Sequence, residues 1–354
     1  MLAGVTSRRP VTIPELLPPE LAARLDGLDV LSRRVLLGKL QGERRSKRRG
    51  RSVEFDDYRD YVPGDDLRHI DWHVFARLDR FVVKVFQEEQ DLAVHLVLDC
   101  SPSMNAGQPD KLLFAARLAL ALGYVALVRN NRVLVTAFGG PAQGGGLARL
   151  EPQRGRRNVQ RLGQFVIDQA LGPAPSEGPR QARQKPPADA FAEAMRGVAL
   201  GPGGKGVVVL LSDLLIPPVG AFEPGLKLLA SAAARTSGGG MDVYVLQTLA
   251  PGELDPAREG ETPPAGTAPG QPANAARPAP LLGDLRLNDV ETGRSAEVTI
   301  TPELLEKYRA SVKAYIENIA RWCAARALNH ALVTSDTDVP TLVLDVLRRR
   351  GLLR

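Results

Sequence analysis

Short apolar runs alternate along most of this chain with longer stretches in which apolar residues recur at helical spacing. Val94 to Asp99, Arg132 to Phe138, Gly206 to Leu211 and Met241 to Leu246 show little alternation of polar and apolar positions, as expected of strands buried on both faces. Between them, Pro109 to Arg129, Arg156 to Ala170, a segment running through Met195, and Ala221 to Arg235 read as helices. In the first of these, Leu112, Ala116, Ala119, Leu120 and Gly123 share one face. This order predicts an α/β fold with a mostly parallel sheet and helices on both faces.

The flanking segments read differently. Residues 1–20 are Pro-rich, and Leu21, Leu25, Leu28 and Leu31 then predict a helix from Pro19 to about Leu37. Residues 50–80 read as loops and short turns, followed by a strand from Arg80 to Val85. Gly139 to Gly146 and Gly172 to Pro187 read as loops. Pro251 to Pro280 holds eight prolines and almost no large apolar residue, the composition of a flexible insertion. Leu285 to Glu291 and Ala296 to Ile300 predict a hairpin around Thr292-Gly293. Thr301 and Pro302 then open a helix to about Leu328 that aligns Leu305, Tyr308, Val312, Tyr315, Ile319 and Trp322. A strand at Ala331 to Thr334 and a helix from Pro340 to Arg349 follow. The organisation expected is an N-terminal helix and polar segment (1–80), the main α/β domain (81–250), the insertion (251–280), and an extension packed on the main domain (281–354).

In open parallel sheets, ligands bind outside the carboxyl ends of the strands. Asp99 and Asp213 both sit at such ends, far apart in sequence, and Ser101 and Ser103 follow Asp99 at alternate positions. Carboxylates and small hydroxyls are hard oxygen donors suited to Mg²⁺ or another divalent cation. The competing reading is a polar turn in which Asp and Ser satisfy their own backbone.

Charge and composition narrow the choices. The 354 residues are 44% hydrophobic and 24% charged with a net charge of +6, ordinary values for a globular chain. There is no run of 18 apolar residues and no apolar core of a signal peptide near Met1, so a cytoplasmic location without membrane insertion is expected. Cys100 and Cys323 give neither a disulfide framework nor a zinc spacing, and His69 with His73 are too few ligands for a metal site. Gly201 to Gly206 lacks the spacing and the Ser/Thr of a nucleotide-binding P-loop. Between Arg33 and Arg51 nine Lys or Arg face only Glu43, whereas Glu54 to Asp71 is rich in acids, so the two blocks read as a self-neutralising surface or a docking face. No aromatic residue interleaves with the basic block, which argues against nucleic acid as a partner.

Asp99-x-Ser101-x-Ser103 after one apolar strand and Ser212-Asp213 after another resemble the metal-ion-dependent adhesion site of von Willebrand factor A domains. The resemblance implies a Mg²⁺ held, directly or through water, by Asp99, Ser101, Ser103 and Asp213, with one position left for an acidic side chain of a partner. A threonine usually completes that site. Here the matching stretch is Asp189-Ala-Phe-Ala-Glu-Ala-Met195, which puts Asp189 at the threonine position. Asp189 then either joins the ion, reducing its pull on an acidic partner, or caps its own helix.

A second resemblance is more specific. The run Gly50-Arg51-Ser52-Val53-Glu54-Phe55-Asp56-Asp57-Tyr58-Arg59-Asp60-Tyr61-Val62-Pro63-Gly64-Asp65-Asp66-Leu67-Arg68-His69-Ile70-Asp71-Trp72 resembles the signature of the bacterial "domain of unknown function 58" family. Ala76-Arg77, Val83 to Glu89 and Ser101-Pro-Ser-Met104 continue the match. The resemblance implies a von Willebrand A-like domain at 81–250. Within the signature, Glu54, Arg59, Tyr61, Gly64, Asp65, Arg68, Asp71 and Trp72 read either as a bracing ionic network or as a carboxylate cluster able to position metals for hydrolysis.

The function expected is a non-enzymatic, metal-dependent protein-interaction module. Family resemblance implies an adaptor role beside a MoxR-type AAA+ ATPase or its client. The alternatives are a metal-dependent hydrolase using the Glu54 to Asp71 carboxylates and a structural scaffold with a degenerate metal site.

Overall fold

The computed structural model describes residues 12–32, 53–65, 67–88, 92–140, 146–172, 186–201, 206–234, 241–256, 283–288 and 295–354. The chain divides into a small unit, Gly38–Asp91, and a large unit made of the remainder.

In the small unit, β1 (Val53–Asp60) pairs antiparallel with β2 (Val82–Glu88), with an irregularity between Phe55 and Asp57. Between them run a single turn at Leu67–His69 and a helix at Trp72–Leu78. A strand and a helix thus stand where the sequence reads as loops, while β2 is the strand expected from Arg80 to Val85, displaced by two to three residues. The reason is compositional: β1 is Val-Glu-Phe-Asp-Asp-Tyr-Arg-Asp, with too few apolar positions to announce a strand. Asp71 starts the helix by accepting hydrogen bonds from the main-chain N–H groups of His73 (2.9 Å) and Val74 (3.3 Å). Asp79, at φ 50°, ends it. Phe75 stacks on Phe81 with ring centres 4.3 Å apart, and Trp72 meets both edge-on.

The large unit is built on one six-stranded sheet. Its strands are β3 (Ala93–Asp99), β4 (Arg132–Phe138), β5 (Leu147–Gln153), β6 (Gly206–Ser212), β7 (Met241–Leu249) and β10 (Asn329–Thr334). They lie side by side in the order β10-β7-β6-β3-β4-β5. All neighbours are parallel except β5, which runs antiparallel along β4 at the edge. A separate hairpin joins β8 (Gly283–Asn288) to β9 (Ser295–Ile300), as expected, with its turn outside the described residues. Residues 257–282, which include most of the expected insertion, also lie outside them.

The strands sort their side chains by the two-residue period onto two apolar layers. Leu96 and Leu98 of β3, with Val207, Val209 and Leu211 of β6, face one layer; Val97, Val208 and Leu210 face the other. The first layer is covered by helices at Lys111–Val128 and Val159–Val166 and by the N-terminal helix Pro19–Leu25. Helices at Pro187–Leu200, Phe222–Ala233 and Pro302–Ala324 cover the second. This is the mixed α/β, mostly parallel architecture expected.

The helix Lys111–Val128 is the one described helix long and apolar enough to cross a membrane, and it is enclosed by the core. The predicted first helix is shorter than expected. It stops at Leu25, and the chain turns at Asp26-Gly27 so that Val30 bridges Leu353. Leu28 and Val30 are buried in the first apolar layer beyond the end of that helix, not as part of a helical stripe. Asp29 and Arg354 exchange two main-chain hydrogen bonds, of 3.2 and 3.0 Å, so distant segments of the large unit are stitched together.

Candidate metal centre

β3, β6 and β7 are neighbours, so their carboxyl ends share one edge. From β3 the chain proceeds to β4 on one side, while β6 lies on the other, so the strand order reverses there; this is where open α/β sheets bind ligands.

Asp99 ends β3 with only 2% of its surface exposed. Its Oδ1 accepts from the Ser101 main-chain N–H at 2.9 Å, and Ser101 leads into a turn at Pro102–Asn105. The turn brings the Ser101 and Ser103 Oγ atoms to 3.1 Å. Ser212, the last residue of β6, donates its hydroxyl to Asp99 Oδ2 at 2.5 Å and accepts from the Leu214 N–H at 3.0 Å. Asp213 follows, 1% exposed, with Oδ1 taking the Leu215 N–H at 3.0 Å. Leu214 is buried at φ 57°, a conformation rare for a leucine, and its carbonyl accepts from the Tyr315 hydroxyl at 2.5 Å.

Ser212, read in the motif without a role of its own, holds Asp99 in place, and two groups that sequence reasoning missed complete the site: Lys111 and Glu253. Lys111 opens its helix, is fully buried, and donates to Asp213 Oδ2 at 2.9 Å and to Glu253 Oε1 at 2.5 Å. Glu253, just beyond β7, takes the Ala250 N–H on its other oxygen. Sequence offers a faint signal for both. Asp110-Lys111 opens a helix that is otherwise apolar but for Arg117, and Glu253 is the first acid past the third strand end.

The electrostatics follow from burial. Burial, and then the charge of Asp213, push the Asp99 carboxyl up to about 7; hydrogen bonds from Ser212 and Ser101 work the other way. Burial disfavours the Lys111 ammonium, but Asp213 and Glu253 together outweigh it and hold its pKa above the ordinary value. Burial raises the Glu253 carboxyl, against the pull of Lys111.

Asp99, Ser101, Ser103 and Asp213 therefore converge. Asp189 lies exposed in the first turn of the helix Pro187–Leu200, and the hydrogen bonds of Asp99 and Asp213 among the described residues do not include it. Pro186 occupies the N-cap of that helix, so the expected capping role of Asp189 is corrected: Asp189 sits three positions inside the cap. The signature acids are engaged elsewhere. Asp65 pairs with Arg59 at 2.7 Å and accepts from the Val62 N–H, while Asp71 caps its helix and takes the Tyr58 hydroxyl at 3.0 Å. Gly64 supplies a turn at φ 107°, Tyr61 packs against Phe81, Arg68 lies in the single turn before Asp71, and Glu54 pairs in register with Gln87 in the hairpin. Asp66 lies outside the described residues.

Among the described residues no group of three or more His, Cys, Asp or Glu is arranged to hold a metal. The donor set at the strand ends is instead two carboxylates and two hydroxyls, which fits a hard, small ion. Cis ligands of an octahedral Mg²⁺ at about 2.1 Å stand about 3.0 Å apart, close to the observed separation of the two serine oxygens.

The chain is 27% identical over 342 residues to uncharacterised proteins of Mycobacterium bovis and Mycobacterium tuberculosis, covering 95% of this chain and 92% of each relative. A solved aerotolerance-related membrane protein of Bacteroides fragilis is similar at 16% identity and a TM-score of 0.36, over 73% of this chain and 97% of that one. The family described as "Protein of unknown function DUF58" matches residues 57–253, and the chain belongs to that family.

Proposed function

We propose that this chain is a metal-dependent protein-interaction module on a von Willebrand A-like sheet, with Mg²⁺ or another divalent cation held by Asp99, Ser101, Ser103 and Asp213. The observation that carries the reading is the meeting of Asp99 and Asp213, from neighbouring strands far apart in sequence, beside a hydroxyl pair spaced as adjacent octahedral ligands. Charge supports it. Asp213 and Glu253 pair with the Lys111 ammonium, and Asp99 lies near enough to Asp213 to feel its charge: three carboxylates and one ammonium, a surplus of two negative charges when all are ionised. A divalent ion matches that surplus. Bound there, the ion would supply a Lewis-acidic position for one carboxylate of a partner protein. Asp99 and the serines would orient it, and Ser212 and the Leu215 N–H would fix the two carboxylates. The engagement of Asp65 and Asp71 in an ion pair and a helix cap supports a bracing role for the signature rather than hydrolysis.

From the family resemblance, the partner proposed is a MoxR-type AAA+ ATPase or its client, with the chain acting as an adaptor in the cytoplasm. Affinity capture with and without Mg²⁺, using wild type and Asp99→Ala, tests this. Recovery of such an ATPase only with intact Asp99 and added ion is the expected result. Equal recovery in all four conditions refutes it.

A further inference from the structure

We infer that Lys111 is a fixed internal cation that competes with a divalent ion for Asp213, so that the site binds metal more weakly than its oxygen donors alone would. The inference rests on the metal-dependent reading and adds a residue that tunes it. Lys111 is the first residue of the helix Lys111–Val128, yet its side chain is wholly enclosed. That is a poor place for a positive charge. The N–H groups of a first helical turn are partly positive, and a buried ammonium is costly unless paired. What holds it is a pair of carboxylates, Asp213 Oδ2 at 2.9 Å and Glu253 Oε1 at 2.5 Å.

The consequence for a metal is electrostatic. Asp213 reaches the site with Oδ1 on the Leu215 N–H and Oδ2 on a full positive charge. A divalent ion beside Asp99, Ser101 and Ser103 meets a carboxylate already neutralised and an ammonium that repels it. Glu253 acts in the opposite sense. It shares the ammonium with Asp213 and so leaves more negative charge available to the ion.

Two substitutions of opposite expected sign separate this from a bracing role. Lys111→Gln removes the positive charge while keeping an amide that can donate to Asp213. Glu253→Gln removes a negative charge and leaves the ammonium to Asp213 alone. The full chain is titrated with MnCl₂ by electron paramagnetic resonance and with MgCl₂ by calorimetry, and melts in chelator confirm that each variant folds. The expected result is tighter ion binding by Lys111→Gln, roughly tenfold or more (about 1.4 kcal/mol), and weaker binding by Glu253→Gln. A residue that merely braces the loops would weaken binding when either is changed.

Weaker or unchanged binding by folded Lys111→Gln overturns the inference. If Lys111→Gln does not fold, the double variant Lys111→Gln/Glu253→Gln, which removes the buried charges as a pair, decides: tighter ion binding than by Glu253→Gln alone supports the inference, and equal or weaker binding overturns it. Ion bound by Lys111→Gln but not by wild type upholds the competition and retires the metal-dependent reading for the native chain. No ion on either protein overturns both.

Discussion

Replacing Asp99 by Asn in the metal-free protein isolates the cost of a buried negative charge. The folded-state pKa of Asp99 is raised from 3.8 to about 7, first by burial and then by Asp213. A raised acid holds its proton in the folded state at pH values where the unfolded chain has lost it. Stability therefore falls as pH rises from about 4 to about 7, and levels off above. The shift spans about three pH units, each worth about 1.4 kcal/mol, so the group destabilises the fold by on the order of 4 kcal/mol on the alkaline side. Asn carries no charge at any pH. It can keep the bond from the Ser101 N–H but leaves the Ser212 hydroxyl without its carboxylate, a loss of about 1 kcal/mol. The variant is thus expected to be slightly less stable than wild type near pH 4 and more stable by about 3 kcal/mol near pH 8. Urea melts of both proteins across that range in chelator give the difference directly, and contributions shared by the two cancel. A gap that does not change with pH, or a variant less stable than wild type at the alkaline end, would show that Asp99 carries no such burden.

Other perturbations have equally definite outcomes. His95, bonded to Thr136 at 2.9 Å, is pushed down to about 4 by burial and then by Arg149, so its contribution is present above pH 6.5 and lost as pH falls through about 4. His95→Gln should flatten the acid limb of the stability curve, by about 3 kcal/mol between those limits, as read by melts at fixed pH values. Gly123 lies where the helix Lys111–Val128 meets its neighbours: an added Cβ would stand 2.4 Å from Leu162 Cδ2 and 3.2 Å from Leu96 Cδ1. Gly123→Ala should cost about 1–3 kcal/mol despite the better helix propensity of alanine, and a stabilised variant in urea would contradict the packing described. Asp71→Ala removes the cap of the helix Trp72–Leu78 and should cost about 1–2 kcal/mol. Faster amide exchange at His73 and Val74 should report that loss, and unchanged protection there would count against the cap.

The parts of the fold legible in the sequence are those where burial alone dictates composition. β4 and β6 are predominantly apolar, with Arg132, Thr136 and Ser212 the exceptions, because both sheet faces are covered, and their limits are readable to within a residue. β5 is not. Its sequence, Leu-Ala-Arg-Leu-Glu-Pro-Gln, belongs to an edge strand whose side chains are mostly exposed or half-buried, so neither a continuous run nor a clean alternation marks it. The leucines after Leu25 mislead for the converse reason: Leu28 is buried by tertiary contact, which obeys no helical period. At the site, acids and hydroxyls at strand ends are legible because topology fixes where strand ends lie. Lys111 is hidden because a lysine beside an aspartate reads as surface, and only the folded arrangement brings Asp213 and Glu253 around it.

The bridge between Val30 and Leu353, with the Asp29 and Arg354 pairing beside it, also bears on synthesis. Asp29 and Arg354 lie 325 positions apart in the chain. On the ribosome Val30 can find its partner at this seam only once the distant segment has been made and has left the exit tunnel. The seam therefore closes only after the whole sheet between its two sides has been translated.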